Sequence, residues 1–148
     1  MASVGETGWP YVQHRGGPVG FIKVPDERTI AFADFRGNRQ YVSVGNLAHD
    51  DRVALILVDY AARRRLKILG RARLVTAAAD PDLLRRVALA GYRAVVERAF
   101  VVTIEAFDWN CPQHITQRFT AGEVEAAVAP LHDRIEALEA ELAAARSR

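Results

Sequence analysis

The stretch VALILVDYAARRRLKILGRARLV, residues 53–75, contains two consecutive segments that have the texture of β-strands. Residues 53–60 are almost continuously apolar, which predicts a strand that is buried on both faces. Residues 66–75 alternate between apolar and mostly charged side chains, which predicts a second strand with two unlike faces. A β-sheet is therefore the organising element that this stretch indicates.

Shorter strand-like runs lie on both sides of this stretch, at 11–15, 20–24, 29–33 and 99–107. The second and third runs are separated by four turn-forming residues, which is typical of an antiparallel hairpin. From Asp80 to Val96 apolar residues recur every three or four positions, which predicts one helix that crosses the sheet. Five or six strands with one helix, and no regular βαβ alternation, indicate an antiparallel barrel or an α+β sheet.

Residues from Gly122 onward are rich in Ala, Glu, Leu and Arg and predict a long helix. Apolar residues recur there in a heptad pattern, interrupted only by Pro130: Val124, Val128, Leu131, Ile135, Leu138 and Leu142. So narrow a seam predicts a coiled-coil or dimer-packing helix, and the alternative is a helix docked on its own domain. We therefore divide the chain into a barrel domain, 1–119, and a C-terminal helix, 120–148.

Composition and charge narrow the classes of partner. The 148 residues carry a formal net charge of only +2, which gives no reason to expect a nucleic-acid partner. One cysteine, Cys111, allows no intrachain disulfide and favours a reducing, cytoplasmic location. We expect no membrane partner, because the start lacks signal-peptide features and no apolar run approaches the length of a membrane helix. The four histidines share no ligand spacing with one another or with Cys111, so we expect no metal site.

The most informative polar segment is DFRGNRQYVSVGN, residues 34–46, which follows the strand-like run at 29–33. Side chains that can donate to an anion are concentrated in it: Arg36, Asn38, Arg39, Gln40, Ser43 and Asn46. Arginine offers a fixed fork of N–H donors to phosphate, and Gly37 allows the backbone to approach closely. A helix that begins near Asn38 would add its free N–H groups. The alternative is a polar turn that caps a short helix.

Two further clusters carry groups that could serve a ligand. The basic run 63–67 predicts a phosphate contact on a strand face, whereas the lack of interleaved aromatic residues disfavours nucleic acid. Residues 108–114 combine the flat indole of Trp109 with polar side chains, and the alternative role for Trp109 is an anchored core residue. Cys111 precedes a proline and has no neighbouring base, so we interpret it as a bystander thiol.

Longer strings resemble the pyridoxamine 5′-phosphate oxidase-related FMN-binding proteins: PYVQHRGGPVGFIKV, TIAFADFRGNRQYVSVGNL, RVALILVDYAARRRLKILGRARLV and, for one subgroup, AFDWNCPQHITQRF. The resemblance extends from about Trp9 to Phe119. It implies an α+β, mainly β fold: an antiparallel FMN-binding split β-barrel with a crossing helix and a C-terminal helix. It also implies a homodimer that holds FMN in grooves at the interface between its subunits.

The resemblance also implies roles for individual positions. The family's phosphate-binding basic pair falls on Arg39 and Gln40, where glutamine replaces the usual lysine. The residues that face the flavin ring include Asp34 and Phe35, and Arg65 takes the polar position that opens the strand after the arginine turn. The predicted cofactor-binding residues are, in full, Asp34, Phe35, Arg36, Asn38, Arg39, Gln40, Ser43, Asn46, Arg65, Trp109, Gln113 and His114.

Lys23 is the one substrate contact that the resemblance implies, at the place of a lysine that binds a substrate phosphate. The family's arginine at the start of that strand and its C-terminal substrate motif are not recognisable, and no catalytic acid or base stands out. We therefore predict an FMN-binding oxidoreductase with an unassigned small-molecule substrate. The alternatives are a non-catalytic flavin-binding, sensor or carrier module, and a deazaflavin-dependent reductase on the same fold.

Overall fold

The computed structural model describes residues 1–109 and 113–147. In chain order the strands are β1 Ala2–Val4, β2 Pro10–Val12, β3 Lys23–Asp26, β4 Thr29–Phe35, β5 Arg52–Asp59, β6 Arg64–Thr76 and β7 Val96–Trp109. The helices are α1 Val42–His49, α2 Pro81–Val87 and α3 Ala121–Arg146. By their contacts the residues form two compact units, Met1–Leu57 with Arg65–Asn110, and Val58–Arg64 with Cys111–Arg148.

The seven described strands form one antiparallel sheet in the order β2-β1-β5-β6-β7-β4-β3. The sheet is open, because β2 and β3 lie at its two ends and do not pair with each other. The longest pairing joins β6 and β7, and its register shifts between Leu69 and Gly70. A shift of this kind is a β-bulge, which bends the strand and increases its twist. The predicted antiparallel, mainly β architecture with a crossing helix and a C-terminal helix is confirmed.

The core of the first unit covers both faces of β4 and β7, where the consecutive residues 30–34 and 99–102 are all buried. Phe32 and Phe100 face each other across β4 and β7 with ring centroids 5.2 Å apart, and Phe21 packs on Phe32 at 5.5 Å. Helix α2 closes the same core through Leu83 and Val87, which are buried. Asp80 begins this helix, because its carboxylate accepts a hydrogen bond from the Leu83 N–H at 2.8 Å.

Several local predictions were wrong. Helix α2 ends at Val87 rather than near Val96, because the chain becomes extended at Ala88 and the 96–109 segment pairs as β7. The segment 53–60 is not buried on both faces: Val53 and Leu55 are in the core, but Ile56 is exposed on the other face of the open sheet. Strand β1, which was not predicted, pairs with β2 and β5.

The hairpin predicted at 20–33 is present as β3 and β4, although β3 begins only at Lys23. Helix α1 begins at Val42 rather than near Asn38, since residues 36–40 form an irregular loop. No helix in the described ranges is long and apolar enough to cross a membrane.

Candidate functional site

A small polar pocket lies in the first unit where β4 ends and the chain turns toward α1. Its volume is about 50 Å³. The lining residues come from the segment after β2, from the end of β4, from the following loop and from the first turn of α1: Gln13, Arg15, Asp34, Phe35, Gly37, Asn38, Arg39, Tyr41 and Val44. The loop predicted as an anion-binding turn therefore contributes to a concave surface.

The floor of this pocket is a buried ion network centred on Asp34, which is only 5% exposed. Arg15 donates through Nη1 to Asp34 Oδ1 at 2.8 Å. Arg98, which faces Asp34 across the β4–β7 pairing, donates through Nε to Oδ2 at 2.9 Å. One carboxylate thus holds two guanidinium groups, which leaves the network with a net positive charge.

Gln13 joins this network to helix α1. Its amide oxygen accepts hydrogen bonds from Arg15 Nη2 at 2.9 Å and from the buried hydroxyl of Ser43 at 2.8 Å. The Arg15 guanidinium lies over the Phe100 ring, 4.4 Å from its centroid. Arg15 Nε is buried and has no hydrogen-bond partner among the described residues. A buried donor without a partner is uncommon and is a place where a bound acceptor group would fit.

The loop between β4 and α1 holds two residues in the left-handed region, Arg39 at φ 59° and Tyr41 at φ 50°. This conformation costs about 1–2 kcal/mol for a residue with a Cβ atom. The side chain of Asn38 supports the loop, because its Oδ1 accepts a hydrogen bond from the Gln40 N–H at 3.2 Å. Arg39 forms no hydrogen bond or ion pair within the part of the chain that the structure describes. Its guanidinium is therefore free to bind a ligand.

Helix α1 begins beside this loop without a cap. Tyr41 occupies the N-cap position and accepts no side-chain hydrogen bond, and the first turn carries no acidic residue. The first N–H groups of a helix have no partner inside the helix, and together with the helix dipole they attract anions. The arrangement can accept an oxyanion next to Arg39.

Glu97 binds the other cationic side chains near the pocket. It accepts hydrogen bonds from Arg36 Nε at 2.9 Å, from the Tyr41 hydroxyl at 2.9 Å and from Arg98 Nη2 at 3.1 Å. The hydrogen bond from Arg36, assisted by that from Tyr41, lowers the pKa of Glu97 below its ordinary value. Glu97 is ionised at neutral pH and pairs with both Arg36 and Arg98, so Arg39 is the guanidinium near the pocket that has no acidic partner among the described residues.

The predicted site residues divide into three groups. Asp34, Phe35, Asn38 and Arg39 line the pocket. Arg36, Gln40, Ser43 and Asn46 lie beside it, with the Ser43 hydroxyl bound to Gln13 and the Asn46 amide donating to Ser3 Oγ at 2.9 Å. The others lie elsewhere, at Lys23, Arg65, Trp109, Gln113 and His114. Asn110 and Cys111 lie outside the described residues.

Two of the predicted residues outside the pocket, Lys23 and Trp109, lie at other surface features of the first unit. Lys23 lines a second pocket of the first unit, about 450 Å³ in volume, together with Arg86 and mostly apolar side chains. Trp109 ends β7 opposite Leu66 and is 60% exposed. Gln113 and His114 belong to the second compact unit.

Sequence reasoning missed six residues of the site: Gln13, Arg15, Tyr41, Val44, Glu97 and Arg98. Gln13 and Arg15 are two positions apart in the extended run after β2, and side chains two positions apart in an extended chain point to the same side. This spacing could have predicted that the two residues act together. Glu97 and Arg98 reach the pocket only through the register of β7 against β4.

Comparison with known proteins identifies the fold. Residues 1–110 match the family described as pyridoxamine 5′-phosphate oxidase. A search of curated proteins gave no match. A Clostridium acetobutylicum protein related to general stress protein 26 of B. subtilis, of the pyridoxinephosphate oxidase family, aligns with a TM-score of 0.53 and 16% identity over 83% of this chain and 84% of its own.

Two other solved structures are similar in the same way. HupZ of Group A Streptococcus aligns with a TM-score of 0.50 and 16% identity over 80% of this chain and 86% of its own. A candidate pyridoxamine 5′-phosphate oxidase of Lactobacillus delbrueckii aligns with a TM-score of 0.50 and 22% identity over 72% and 79% of the two chains. These likenesses show the same split-barrel fold, and the match over residues 1–110 shows that the chain belongs to the pyridoxamine 5′-phosphate oxidase family.

Proposed function

We propose that the protein is a cytoplasmic FMN-binding oxidoreductase that works as a homodimer. The observation that carries the proposal is Arg39, which pairs with none of the described residues and lies beside the uncapped start of α1 at the edge of a pocket with a net positive floor. Members of this family typically bind a flavin. The single cysteine supports a reducing compartment.

The residues of the pocket suit the phosphate end of FMN. Arg39 supplies the unpaired charge, Asn38 and the first N–H groups of α1 supply short neutral donors, and Arg15 Nε is a buried donor that still needs an acceptor. Because glutamine stands at position 40, Arg39 carries the phosphate charge without the second cation usual in the family. FMN binding should therefore depend strongly on this one side chain.

The size of the pocket supports a second chain at the site. About 50 Å³ accommodates a phosphate-sized group, whereas pockets that enclose a whole small ligand measure about 300–1,000 Å³. The flavin ring would therefore lie on neighbouring surface and need a cover. Phe107 and Trp109, two residues apart on the same face of β7, are 65% and 60% exposed. Adjacent exposed aromatic side chains are typical of surfaces that a partner covers.

A bound flavin supplies the electron-transfer chemistry of the reaction. The chain itself binds the cofactor phosphate through Arg39 and holds the end of β4 rigid through the Asp34 network. Glu97 accepts from the Tyr41 hydroxyl and from Arg36, so neither of these donors is left for the ligand. No side chain of the pocket is singled out as an acid or base.

The second pocket supports a substrate with an acidic group. Lys23 and Arg86 line it without an ion pair among the described residues, and its other walls are largely apolar. Two cations above an apolar wall suit a small molecule that carries a carboxylate or phosphate. Turnover of the bound flavin by NADH or NADPH would support the oxidoreductase over a carrier or sensor, and a flavin that neither nucleotide reduces would support the carrier.

Replacing Arg39 by Ala should weaken FMN binding by about 1.5–3 kcal/mol, the scale for hydrogen bonds to a charged group. Riboflavin, which lacks the phosphate, should bind the variant and the unaltered protein equally. Fluorescence titration with both flavins measures the difference.

Two control variants separate charge and backbone effects in that experiment. Arg39→Gly removes the same side chain but suits the left-handed backbone at this position, so it should weaken FMN binding as Arg39→Ala does. Arg73→Ala removes an equal charge from an exposed position of β6 and should leave the affinity unchanged. Equal FMN affinity in the Arg39→Ala and unaltered proteins would remove Arg39 from the site.

In the proposed dimer Trp109 covers the flavin held by the other subunit, and an indole against the ring quenches its fluorescence. Replacing Trp109 by Phe should therefore raise the fluorescence of bound flavin. The affinity should fall by about 0.5–1.5 kcal/mol, the scale of an aromatic contact. Light scattering checks that the dimer persists. Unchanged fluorescence and unchanged affinity together would assign Trp109 a structural role only.

A further inference from the structure

Helix α3 presents an apolar seam that the described residues leave largely exposed. A capping box begins the helix, because Thr120 accepts a hydrogen bond from the Glu123 N–H and the Glu123 carboxylate accepts one from the Thr120 N–H. All 26 residues of α3 are described, and none of them is buried. Its large apolar residues are 45–61% exposed, at Val124, Leu131, Ile135, Leu138 and Leu142. A helix of this kind is stabilised mainly by packing of its apolar face.

We propose that α3 pairs with α3 of a second copy of this chain in a parallel coiled coil. In heptad notation the a positions hold Val128, Ile135 and Leu142, and the d positions hold Val124, Leu131 and Leu138. The two central heptads, from Val128 to Leu138, thus carry β-branched residues at a and leucine at d. β-Branched residues at a with leucine at d favour two parallel strands over higher oligomers. Pro130 lies at a c position, outside the seam, and the helix continues through it.

The charges beside the seam identify the partner as a second copy. Arg134 and Glu141 occupy g positions, and Glu139 and Arg146 occupy the e positions of the following heptads. In a parallel pair each g side chain meets the next e side chain of the other helix. Arg134 would then meet Glu139, and Glu141 would meet Arg146, on both sides of the pair.

These charged side chains form almost no ion pairs within their own helix. Arg134 approaches Glu141 of its own helix, but the distance from Nη1 to Oε1 is 3.9 Å, at the limit of an ion pair. Glu139 has no basic residue three or four positions away on its own helix. The pattern is therefore self-complementary between copies rather than within one chain.

Site-directed cross-linking of the full-length protein tests the pairing. In a Cys111→Ser background, Leu131→Cys places a thiol in the seam and Ala137→Cys places one at a c position outside it. Mild oxidation should give several-fold more disulfide-linked dimer with Leu131→Cys than with Ala137→Cys. A dimer formed through the barrel alone gives no such preference, so equal or absent cross-linking would overturn the coiled coil and leave the FMN proposal intact.

A charge exchange tests the parallel register. In the Leu131→Cys protein, Arg134→Glu should reduce the cross-linked fraction several-fold, because it places a second carboxylate opposite Glu139. Adding Glu139→Arg should restore the cross-linked fraction by reversing both charges. Failure of the second change to restore it would overturn the parallel pairing, and circular dichroism verifies that each variant keeps its helix.

Discussion

Replacing Asp34 by Ala is expected to destabilise the protein by about 3–5 kcal/mol, the cost of removing one partner from a buried ion pair. Asp34 is nearly inaccessible to water and neutralises Arg15 and Arg98, both of which are largely buried. Without the carboxylate, Arg15 remains in the interior with no acidic partner among the described residues, and Arg98 keeps only Glu97. Urea unfolding measured by circular dichroism gives the free energy of unfolding directly.

Asp108→Ala is the matched control for this change. Asp108 also pairs with one basic residue, Lys67 at 2.8 Å, but both side chains are exposed. Exposed ion pairs contribute about 0–1 kcal/mol, so this variant should unfold almost as the unaltered protein does. If the two aspartate variants lose equal stability, the Asp34 network does not hold the end of β4 in the way proposed.

Replacing Gly70 by Ala is expected to destabilise the protein by about 3 kcal/mol, the upper end of the range for overpacked sites. A Cβ atom at this position would lie 2.3 Å from the carbonyl oxygen of Thr103 and 3.0 Å from a methyl group of Val102. Because the close neighbour is backbone of the paired strand β7, it cannot rotate away. The bulge at Leu69–Gly70 would have to open, and thermal unfolding measures the loss.

Gly45→Ala makes the same chemical change at an open position. Gly45 lies inside α1, and no atom would come within 4 Å of an added Cβ. Alanine is favoured over glycine in a helix by about 0.5–1 kcal/mol, so this variant should be slightly more stable. A Gly70→Ala protein that unfolds at the same temperature as Gly45→Ala would contradict the close approach of β6 and β7.

The strands were predictable because their side chains alternate, and the antiparallel hairpin was predictable because four turn residues separate its two runs. The local sequence pattern gave wrong predictions where the burial or conformation of a residue depends on its place in the sheet. Ile56 belongs to the most apolar run of the chain, yet it is exposed, because only the side of β5 that carries Val53 and Leu55 packs into the core. The helical periodicity continued past Val87, but the chain becomes extended at Ala88, residues 89–95 form a turn and irregular chain, and only Val96 enters β7.

Only the part of the candidate site that is contiguous in the sequence was predictable. Asn38 and Arg39 were visible as a turn that concentrates donors after a strand. Arg98 was not, because it lies 64 residues from Asp34 and reaches it only through the register of two strands. The left-handed backbone of Arg39 and Tyr41 was equally hidden, since neither residue type favours it.

Strain in this loop agrees with a binding role. Two left-handed residues persist only where their surroundings hold them, and such positions cluster at ligand-binding sites. Tyr41 is held by its hydroxyl contact with Glu97 and by the Arg98 guanidinium, 4.6 Å from its ring centroid. Arg39 has no such support from the described residues, so a bound anion is the group that would stabilise its conformation.

Gel filtration of the protein after incubation with FMN tests cofactor binding and dimerisation together. Absorbance and light scattering are recorded on the same peak. The account predicts a flavin absorption spectrum that co-elutes with a particle of about twice 16.4 kDa. A protein peak without flavin, at FMN concentrations that saturate other flavoproteins, would contradict it.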